Sequence, residues 1–163
     1  MKEENLYDVA YELGVKWLKI IKNPNLNQAV MFDIDDTLIN VANGKNIQPI
    51  VNLLNYCIKH NFIVIIVTAR DVSGTAYTIN QLKEHNIKYK RLYLRRPDQD
   101  LSFKSKLKED LTKNAGLTFV MSVGDNWYDV AGGYSGYGLK LPDLNDHRLG
   151  YLNPNTGKWE YII

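Results

Sequence analysis

One stretch of sequence decides the fold class: Ala29-Val-Met-Phe-Asp33-Ile-Asp35-Asp36-Thr37. Its first four residues are apolar, which is typical of a short strand that is buried on both faces of a parallel sheet. The remaining residues place three carboxylates directly after this strand. Because ligands of open α/β sheets bind at the carboxyl ends of the strands, the stretch predicts both an architecture and the place of a functional site.

Strands and helices alternate along the rest of the chain. Apolar residues at three- and four-residue steps predict a first helix that ends before Pro24, and a second helix that starts near Pro49. The alternation predicts an α/β fold, a three-layer Rossmann-like parallel sheet with helices on both faces. The other predicted elements are strands at residues 62–67, 91–94, 118–123 and 137–141, a helix over residues 72–86 with Ala76, Ile79 and Leu82 facing inward, and a helix marked by Phe103, Leu107 and Leu111.

Length and composition indicate one globular domain. The chain has 163 residues, of which 45% are hydrophobic and 23% charged, so disordered and fibrous classes are excluded and a buried core is expected. We divide this single domain into an N-terminal helix (residues 1–24), a core (28–141) and a tail (142–163). Residues 153–159 of the tail are expected to form a turn that returns a hydrophobic end to the surface.

The sequence favours a cytoplasmic protein over an exported or membrane-bound one. The N-terminus is polar, and the longest apolar run, residues 62–67, is far shorter than the roughly 20 residues of a membrane span. The single cysteine, Cys57, excludes an internal disulfide and a multi-cysteine zinc site. Its helical spacing from Leu53 and Leu54 predicts a packed thiol.

The net charge of +2 is unevenly distributed. Residues 83–113 hold ten Lys or Arg against five Asp or Glu, whereas the rest of the chain holds ten against thirteen. This basic stretch either faces an anionic partner or only solvates a helix and a loop, and the sequence leaves both interpretations open.

Polar clusters follow four of the predicted strands. They are Asp33-Ile-Asp35-Asp36-Thr37, Thr68-Ala-Arg70, a lysine near position 104 and Gly124-Asp125-Asn-Trp-Tyr-Asp129. Carboxylates crowded beside apolar strands repel one another and lose hydration, so a bound cation is the simplest compensation. Oxygen ligands from Asp33, the Asp35 backbone carbonyl and Asp125 suit Mg²⁺, and the lack of histidine in these clusters disfavours zinc. Alternatively, these carboxylates belong to turns and helix caps.

The four clusters resemble the motifs of the haloacid dehalogenase (HAD) superfamily, in its phosphatase branch with the pattern Asp-x-Asp-x-Thr. The resemblance covers residues 28–141 and implies a phosphatase without a large cap domain. It implies that Asp33 takes the phosphoryl group, and that Asp35 first protonates the leaving oxygen and then deprotonates the hydrolytic water.

The same resemblance implies roles for the later clusters. Thr68 would hold phosphoryl oxygens, Lys104 would neutralise charge in the transition state, and Asp125 with Asp129 would hold Mg²⁺ together with Asp33 and Asp35. Arg70 is a further candidate for binding the substrate.

Two lysines compete for the third position. With Ser102 as the expected N-cap, Lys104 lies three residues before Leu107 and at the edge of the apolar face. Lys106 shares its face with polar residues. Helix geometry therefore predicts that Lys104 points toward the sheet and Lys106 toward water.

No cap insertion is expected, because one helix and one strand already account for residues 38–67, and one helix, one strand and a loop for residues 69–103. The site should be open unless the first helix or a partner subunit, in a homo-oligomer, covers it. An open site favours a phosphate displayed on a large molecule, or a promiscuous choice of small esters.

The rim stretch Leu94-Arg95-Arg96-Pro97-Asp98-Gln-Asp100 resembles the arginine-bearing loop of the 3′-phosphatase domains of polynucleotide kinases. This likeness implies that Arg95 and Arg96 bind substrate, a nucleotide or a nucleic-acid end. In the alternative interpretation these arginines pair with Asp98 or Asp100 and brace the loop. Aromatic residues in and after the fourth cluster either stack a base or pack a short helix: Trp127, Tyr128, Tyr134 and Tyr137.

A weaker resemblance links the Gly-Asp and following Asp of the fourth cluster to the acid phosphatases of the same superfamily. The leading hypothesis is a Mg²⁺-dependent phosphomonoester hydrolase that acts on nucleotides or nucleic-acid 3′-phosphate ends. The alternatives are a phosphatase for small phosphoesters or phosphoproteins, and a phosphate-binding module without turnover.

Overall fold

The computed structural model describes residues 3–153 and 155–163, with side chains from residue 6 onward. The helices are α1 (Glu3–Ile21), α2 (Gln48–Lys59), α3 (Thr75–Glu84), α4 (Phe103–Ala115) and α5 (Trp127–Val130). The strands are β1 (Gln28–Phe32), β2 (Ile63–Asp71), β3 (Arg91–Arg95), β4 (Thr118–Gly124), β5 (Tyr137–Lys140), β6 (Leu149–Asn153) and β7 (Lys158–Ile162). A 3₁₀ turn, Val72–Gly74, precedes α3.

The strands form one sheet in the order β3-β2-β1-β4-β5-β6-β7. The first five strands in this order are parallel, as predicted, and β1 lies between β2 and β4. Met31 in β1 pairs with Ile65 on one side and with Ser122 on the other. The carboxyl ends of β1, β2 and β4, which carry three of the polar clusters, therefore meet at one edge of the sheet.

Helices cover the sheet on both faces, in agreement with the predicted three layers. One face packs against α1, α2 and α3, and Trp17 of α1 stacks on Tyr137 of β5 with ring centroids 4.9 Å apart. The other face packs against α4 through Phe103 and Leu111. Because β1 faces both cores, all five of its residues are buried.

The tail departs from the sequence prediction. Instead of a simple turn after a last strand at residues 137–141, β6 and β7 form an antiparallel hairpin that extends the sheet. Its strands are only five residues long. Short, partly exposed strands with mixed composition give little periodic signal, which is why the sequence reading missed them.

Two other predictions need correction. The strand predicted at residues 62–67 continues to Asp71, since pairing with β3 extends past Thr68 through an irregularity in register. On α3 the inward residues are Thr78 and Leu82, while Ala76 and Ile79 are exposed. This helix starts later than predicted, after the 3₁₀ turn, and its buried residues Thr78 and Leu82 lie one helical turn apart.

Cys57 is a buried free thiol on α2, as predicted. No helix among the described residues is long and apolar enough to cross a membrane.

Candidate active site

The loop after β1 begins with Asp33, which is buried at the carboxyl end of the strand. Asp33 is 5% exposed, and its amide donates to the carbonyl of Val123 in β4 (3.1 Å). Asp36 has a φ of 57°, in the left-handed region that aspartate tolerates better than most residues. Its amide donates to the carbonyl of Ile39 (2.7 Å) and its carboxylate accepts from the amide of Val41 (2.9 Å), so Asp36 shapes the loop.

Lys104 lies in the first turn of α4 and is fully buried. Its Nζ donates to Asp33 Oδ1 (2.9 Å) and to Asp129 Oδ1 (2.5 Å). Burial alone would lower the pKa of Lys104, but the negative charges of Asp33 and Asp129 outweigh burial and raise that pKa above its ordinary value. Lys104 is therefore a permanent cation between two carboxylates. Lys106, the competing residue, is exposed.

The fourth cluster is held by local hydrogen bonds at the start of α5. The amide of Asn126 donates to Asp129 Oδ2 (3.0 Å), and Asn126 Nδ2 donates to Asp125 Oδ1 (3.3 Å). Gly124 is required for this arrangement, because a Cβ at that position would lie 2.3 Å from the Cβ of Asp129. Both carboxylate oxygens of Asp129 thus have protein partners, Lys104 and Asn126.

Three carboxylates converge at the sheet edge. Oxygens of Asp33, Asp125 and Asp129 lie within 4.8 Å of one another. Burial raises the pKa of Asp125 and of Asp129, and the charge of Asp33 raises both further. A hard divalent cation would relieve this repulsion, and an all-oxygen donor set fits Mg²⁺ better than zinc.

Asp35 faces Arg70 rather than the three-carboxylate cluster. Arg70 Nε and Nη2 donate to the two oxygens of Asp35 (3.0 and 2.7 Å), and Nη1 donates to Thr78 Oγ1 (3.3 Å). This bidentate pair fixes the carboxylate plane. Thr68, 1% exposed at the end of the buried part of β2, accepts from the amide of Arg70 through Oγ1 (3.2 Å).

The two rim arginines have different surroundings. Arg95 Nε donates to the carbonyl of Ala69 (3.1 Å) and Nη1 to the carbonyl of Gln99 (3.3 Å), so Arg95 braces two loops. Arg96 is largely exposed and pairs with the equally exposed Asp98 at 3.5 Å. A cavity of about 460 Å³ lies beside this loop, lined by Arg96 and Lys106 together with three aspartates and apolar residues.

The aromatic residues of this region divide between packing and exposure. Tyr137 is 5% exposed and stacks on Trp17, so it packs the core. Trp127 is 40% exposed and packs edge-on against Trp159 of β7, with centroids 4.8 Å apart. The contact of Trp127 with Trp159 could not be predicted from the sequence, because the sequence pattern does not indicate the hairpin that contains β7.

Lys108 is a buried residue beneath the site that sequence analysis also missed. It follows Lys104 by one helical turn, and its Nζ donates to Ser122 Oγ (3.1 Å) and to the main-chain carbonyl of Asp129 (2.8 Å). Burial, with the nearby charge of Lys104, lowers the pKa of Lys108 to about 7 against the opposing effect of Asp129. The i, i+4 spacing of the two lysines, three residues before the buried Leu111, is the signal that could have identified it.

Comparison with known families gives one match. A model described as HAD superfamily, subfamily IIIB (acid phosphatase), matches residues 38–159. This match covers three of the four polar clusters and begins just after the loop of Asp33 and Asp35. No curated protein matches the sequence.

Solved structures share the fold at low identity. The class C acid phosphatase from Bacillus anthracis superposes with a TM-score of 0.65 at 18% identity, over 79% of this chain and 65% of that chain. The same protein with tungstate bound gives a TM-score of 0.65 at 16% identity, with the same coverage. A chain of the Pnkp1/Rnl/Hen1 RNA repair complex gives a TM-score of 0.54 at 19% identity, over 67% of this chain and 39% of that chain. This chain thus spans less than two thirds of each of these relatives.

Proposed function

The chain belongs to subfamily IIIB of the HAD superfamily, the acid phosphatases, and from this premise we propose that it is a Mg²⁺-dependent phosphomonoester hydrolase with an aspartyl-phosphate intermediate. The observation that carries the proposal is the buried Lys104 ammonium between Asp33 and Asp129, with Asp125 in the same carboxylate cluster. A carboxylate can approach an anionic phosphate only if its charge is masked, and Lys104 supplies one of the masking charges.

In the first step Asp33 attacks phosphorus. A bond forms between an Asp33 carboxylate oxygen and phosphorus, the bond from phosphorus to the leaving oxygen breaks, and Asp35 gives its proton to that oxygen. In the second step water attacks the same phosphorus, Asp35 takes a proton from the water, and the bond to Asp33 breaks to release inorganic phosphate. Lys104 and Thr68 hold the phosphoryl oxygens in both steps.

Arg70 orients Asp35 for these proton transfers. The bidentate pair uses one acceptor site on each oxygen of Asp35, which leaves a further lone pair on each oxygen to carry a proton. Arg70 uses three of its five N–H groups for Asp35 and Thr78, which leaves two N–H groups to donate to a phosphoryl oxygen. Arg70 is thus proposed both to bind substrate and to orient the acid.

Asp33, Asp125, Asp129 and the backbone carbonyl of Asp35 are the groups that would hold Mg²⁺. The bound ion would neutralise phosphoryl charge and reduce the repulsion among the carboxylates. Since both oxygens of Asp129 already have protein partners, its contribution would come through the acceptor sites that remain on those oxygens.

The architecture favours small or exposed phosphomonoesters. Between β1 and β2 the described chain forms a loop and α2, and between β2 and β4 it forms α3, β3 and α4, with no additional cap domain in these segments. A site of this kind does not enclose its substrate. The protein therefore makes few contacts with the leaving group, which contributes little to substrate binding.

Nucleotides or nucleic-acid ends are the second candidate substrate class. The observation in favour is Arg96, whose exposed guanidinium has only a weak, exposed partner among its described contacts and can turn to a phosphate. Arg95 offers less, because its contacts to Ala69 and Gln99 brace loops.

The test is phosphate release with and without Mg²⁺ over nucleoside monophosphates, sugar phosphates, phosphopeptides and 3′- or 5′-phosphorylated oligonucleotides. Turnover that requires Mg²⁺ and is lost in Asp33→Asn supports the proposal. Asp35→Asn should slow turnover by roughly 10²- to 10⁴-fold, the range for general acid–base steps. Mg²⁺-independent turnover, or full activity of Asp33→Asn, would contradict the mechanism.

A further inference from the structure

Lys108 is buried at a cost that packing does not explain. No part of the residue is exposed, and lysine is almost never fully buried without an opposite charge as partner. Its hydrogen-bond partners are both uncharged oxygens, the Ser122 hydroxyl and the Asp129 carbonyl. A methionine of similar length would fill the same space without removing a charge from water. The position therefore serves something other than filling the core.

The contacts of Lys108 fall on a short segment, residues 127–136, that side chains of neighbouring elements help to hold in place. Helix α5 has only four residues, and the chain after it, residues 131–136, contains three glycines. The main-chain carbonyls here accept bonds from side chains of α4 and β4 and from one serine of the segment: Lys108 to Asp129 (2.8 Å), Ser105 and Ser135 to Ala131 (3.1 and 2.6 Å), and Ser122 to Ser135 (2.8 Å).

A displacement of Asp129 would disturb Asp33, the proposed nucleophile, through Lys104. The carboxylate of Asp129 accepts from Lys104, and the same Lys104 ammonium donates to Asp33. Lys108 holds the main chain of Asp129 while Lys104 holds its carboxylate, so two successive turns of α4 fix one residue from both ends.

We propose that Lys108 is a positioning residue for phosphoryl transfer: it fixes the main chain of Asp129 and thereby aligns Lys104 with Asp33. This role rests on the proposed function. Lys108 touches neither substrate nor metal in this role, so its loss should affect the transition state more than the binding of substrate.

The test compares Lys108→Met, Lys108→Gln and wild type, with Lys106→Met as the matched control on the exposed side of α4. For p-nitrophenyl phosphate with Mg²⁺, Lys108→Met should lower kcat by about 10- to 100-fold, as for other groups that support a site from behind. KM should change by less than about threefold, because ground-state contacts remain. Lys106→Met should match wild type in both constants.

A second readout is independent of turnover. Orthovanadate imitates the transferring phosphoryl group, so its Kd, measured by calorimetry with Mg²⁺ present, should rise by about 10-fold or more in Lys108→Met. All variants are measured well below their melting temperatures, so that loss of stability is separated from loss of alignment. If Lys108→Met does not fold, the same kcat and Kd criteria apply to Lys108→Gln.

Unchanged kcat and vanadate affinity in a folded variant would overturn the role of Lys108 and leave it a stabilising residue only. Failure of both variants to fold would assign Lys108 to stability and overturn the proposal as well. If wild type binds vanadate but hydrolyses no ester, the proposed function fails while the vanadate ratio still decides the role of Lys108. If wild type neither binds vanadate nor hydrolyses esters, both proposals are overturned.

Discussion

Replacing Lys104 with methionine should destabilise the metal-free protein strongly. The ammonium contacts Asp33 and Asp129 at 2.9 and 2.5 Å, and these residues are 5% and 0% exposed, so solvent can replace little of the lost interaction. Removal of one partner from a buried ion pair costs about 3–5 kcal/mol. For a domain of this size each kcal/mol lowers Tm by roughly 2–4 °C, so Tm should fall by about 6–20 °C.

The loss of stability in Lys104→Met should increase as pH rises. Burial and the charge of Asp33 already raise the pKa of Asp129 in the wild type, and removal of Lys104 should raise it further. The folded variant then binds more protons than the unfolded chain, so its stability falls as pH rises. The difference in the free energy of unfolding between wild type and Lys104→Met should be largest near about pH 8. It should shrink toward about pH 5, where the carboxyl groups take up protons.

The assay is urea unfolding followed by circular dichroism in EDTA, at both pH values, for wild type, Lys104→Met and Lys106→Met. Lys106 is an exposed lysine on the same helix, so its replacement should change the free energy of unfolding by less than about 0.5 kcal/mol. If the two variants have equal stability at both pH values, Lys104 does not neutralise Asp33 and Asp129, and the reasoning fails.

Three further predictions concern other parts of the molecule. Gly124→Ala should abolish phosphate release, because the new Cβ would overlap Asp129. Gly133→Ala should keep phosphate release, because no atom lies within 4 Å of its new Cβ. Equal activity of the two variants would contradict the described packing. Burial raises the pKa of Cys57, so a thiol reagent should label it only after urea unfolding, and fast labelling of the native protein would count against a packed thiol. Arg96→Ala should raise KM for a 3′-phosphorylated oligonucleotide and make this KM depend less steeply on salt, while KM for an aryl phosphate stays unchanged. Equal effects on the two substrates would make Arg96 a residue that braces the loop.

The sequence predicted the architecture where burial on both sides leaves a continuous apolar run. Strand β1 is such a run, and its neighbours β2 and β4 have the same character, so their parallel direction and the meeting of their carboxyl ends could be predicted. The choice of Lys104 over Lys106 also followed from helix spacing alone, because the two lysines lie on different faces of α4.

Features that depend on tertiary contacts could not be read from the sequence. The hairpin of β6 and β7 has short strands, of which β7 is largely exposed, and β6 joins the sheet by antiparallel pairing with β5. The pairing of Asp35 with Arg70 joins the loop after β1 to β2, and no local pattern indicates which carboxylate an arginine will meet. Lysine is usually a surface residue, but Lys108 is buried, with its Nζ bonded to Ser122 of β4 and to the carbonyl of Asp129 in α5.

The central claim, that Asp33 is the nucleophile, is tested most directly by trapping the phosphorylated protein. Wild type is incubated with a phosphomonoester and Mg²⁺, quenched during turnover, and reduced with borohydride, which converts an aspartyl phosphate to homoserine. Mass spectrometry of the digested protein should then find homoserine at position 33 and nowhere else, with none in Asp33→Asn. Steady phosphate release without a modified residue, or with the modification at another carboxylate, would contradict the account.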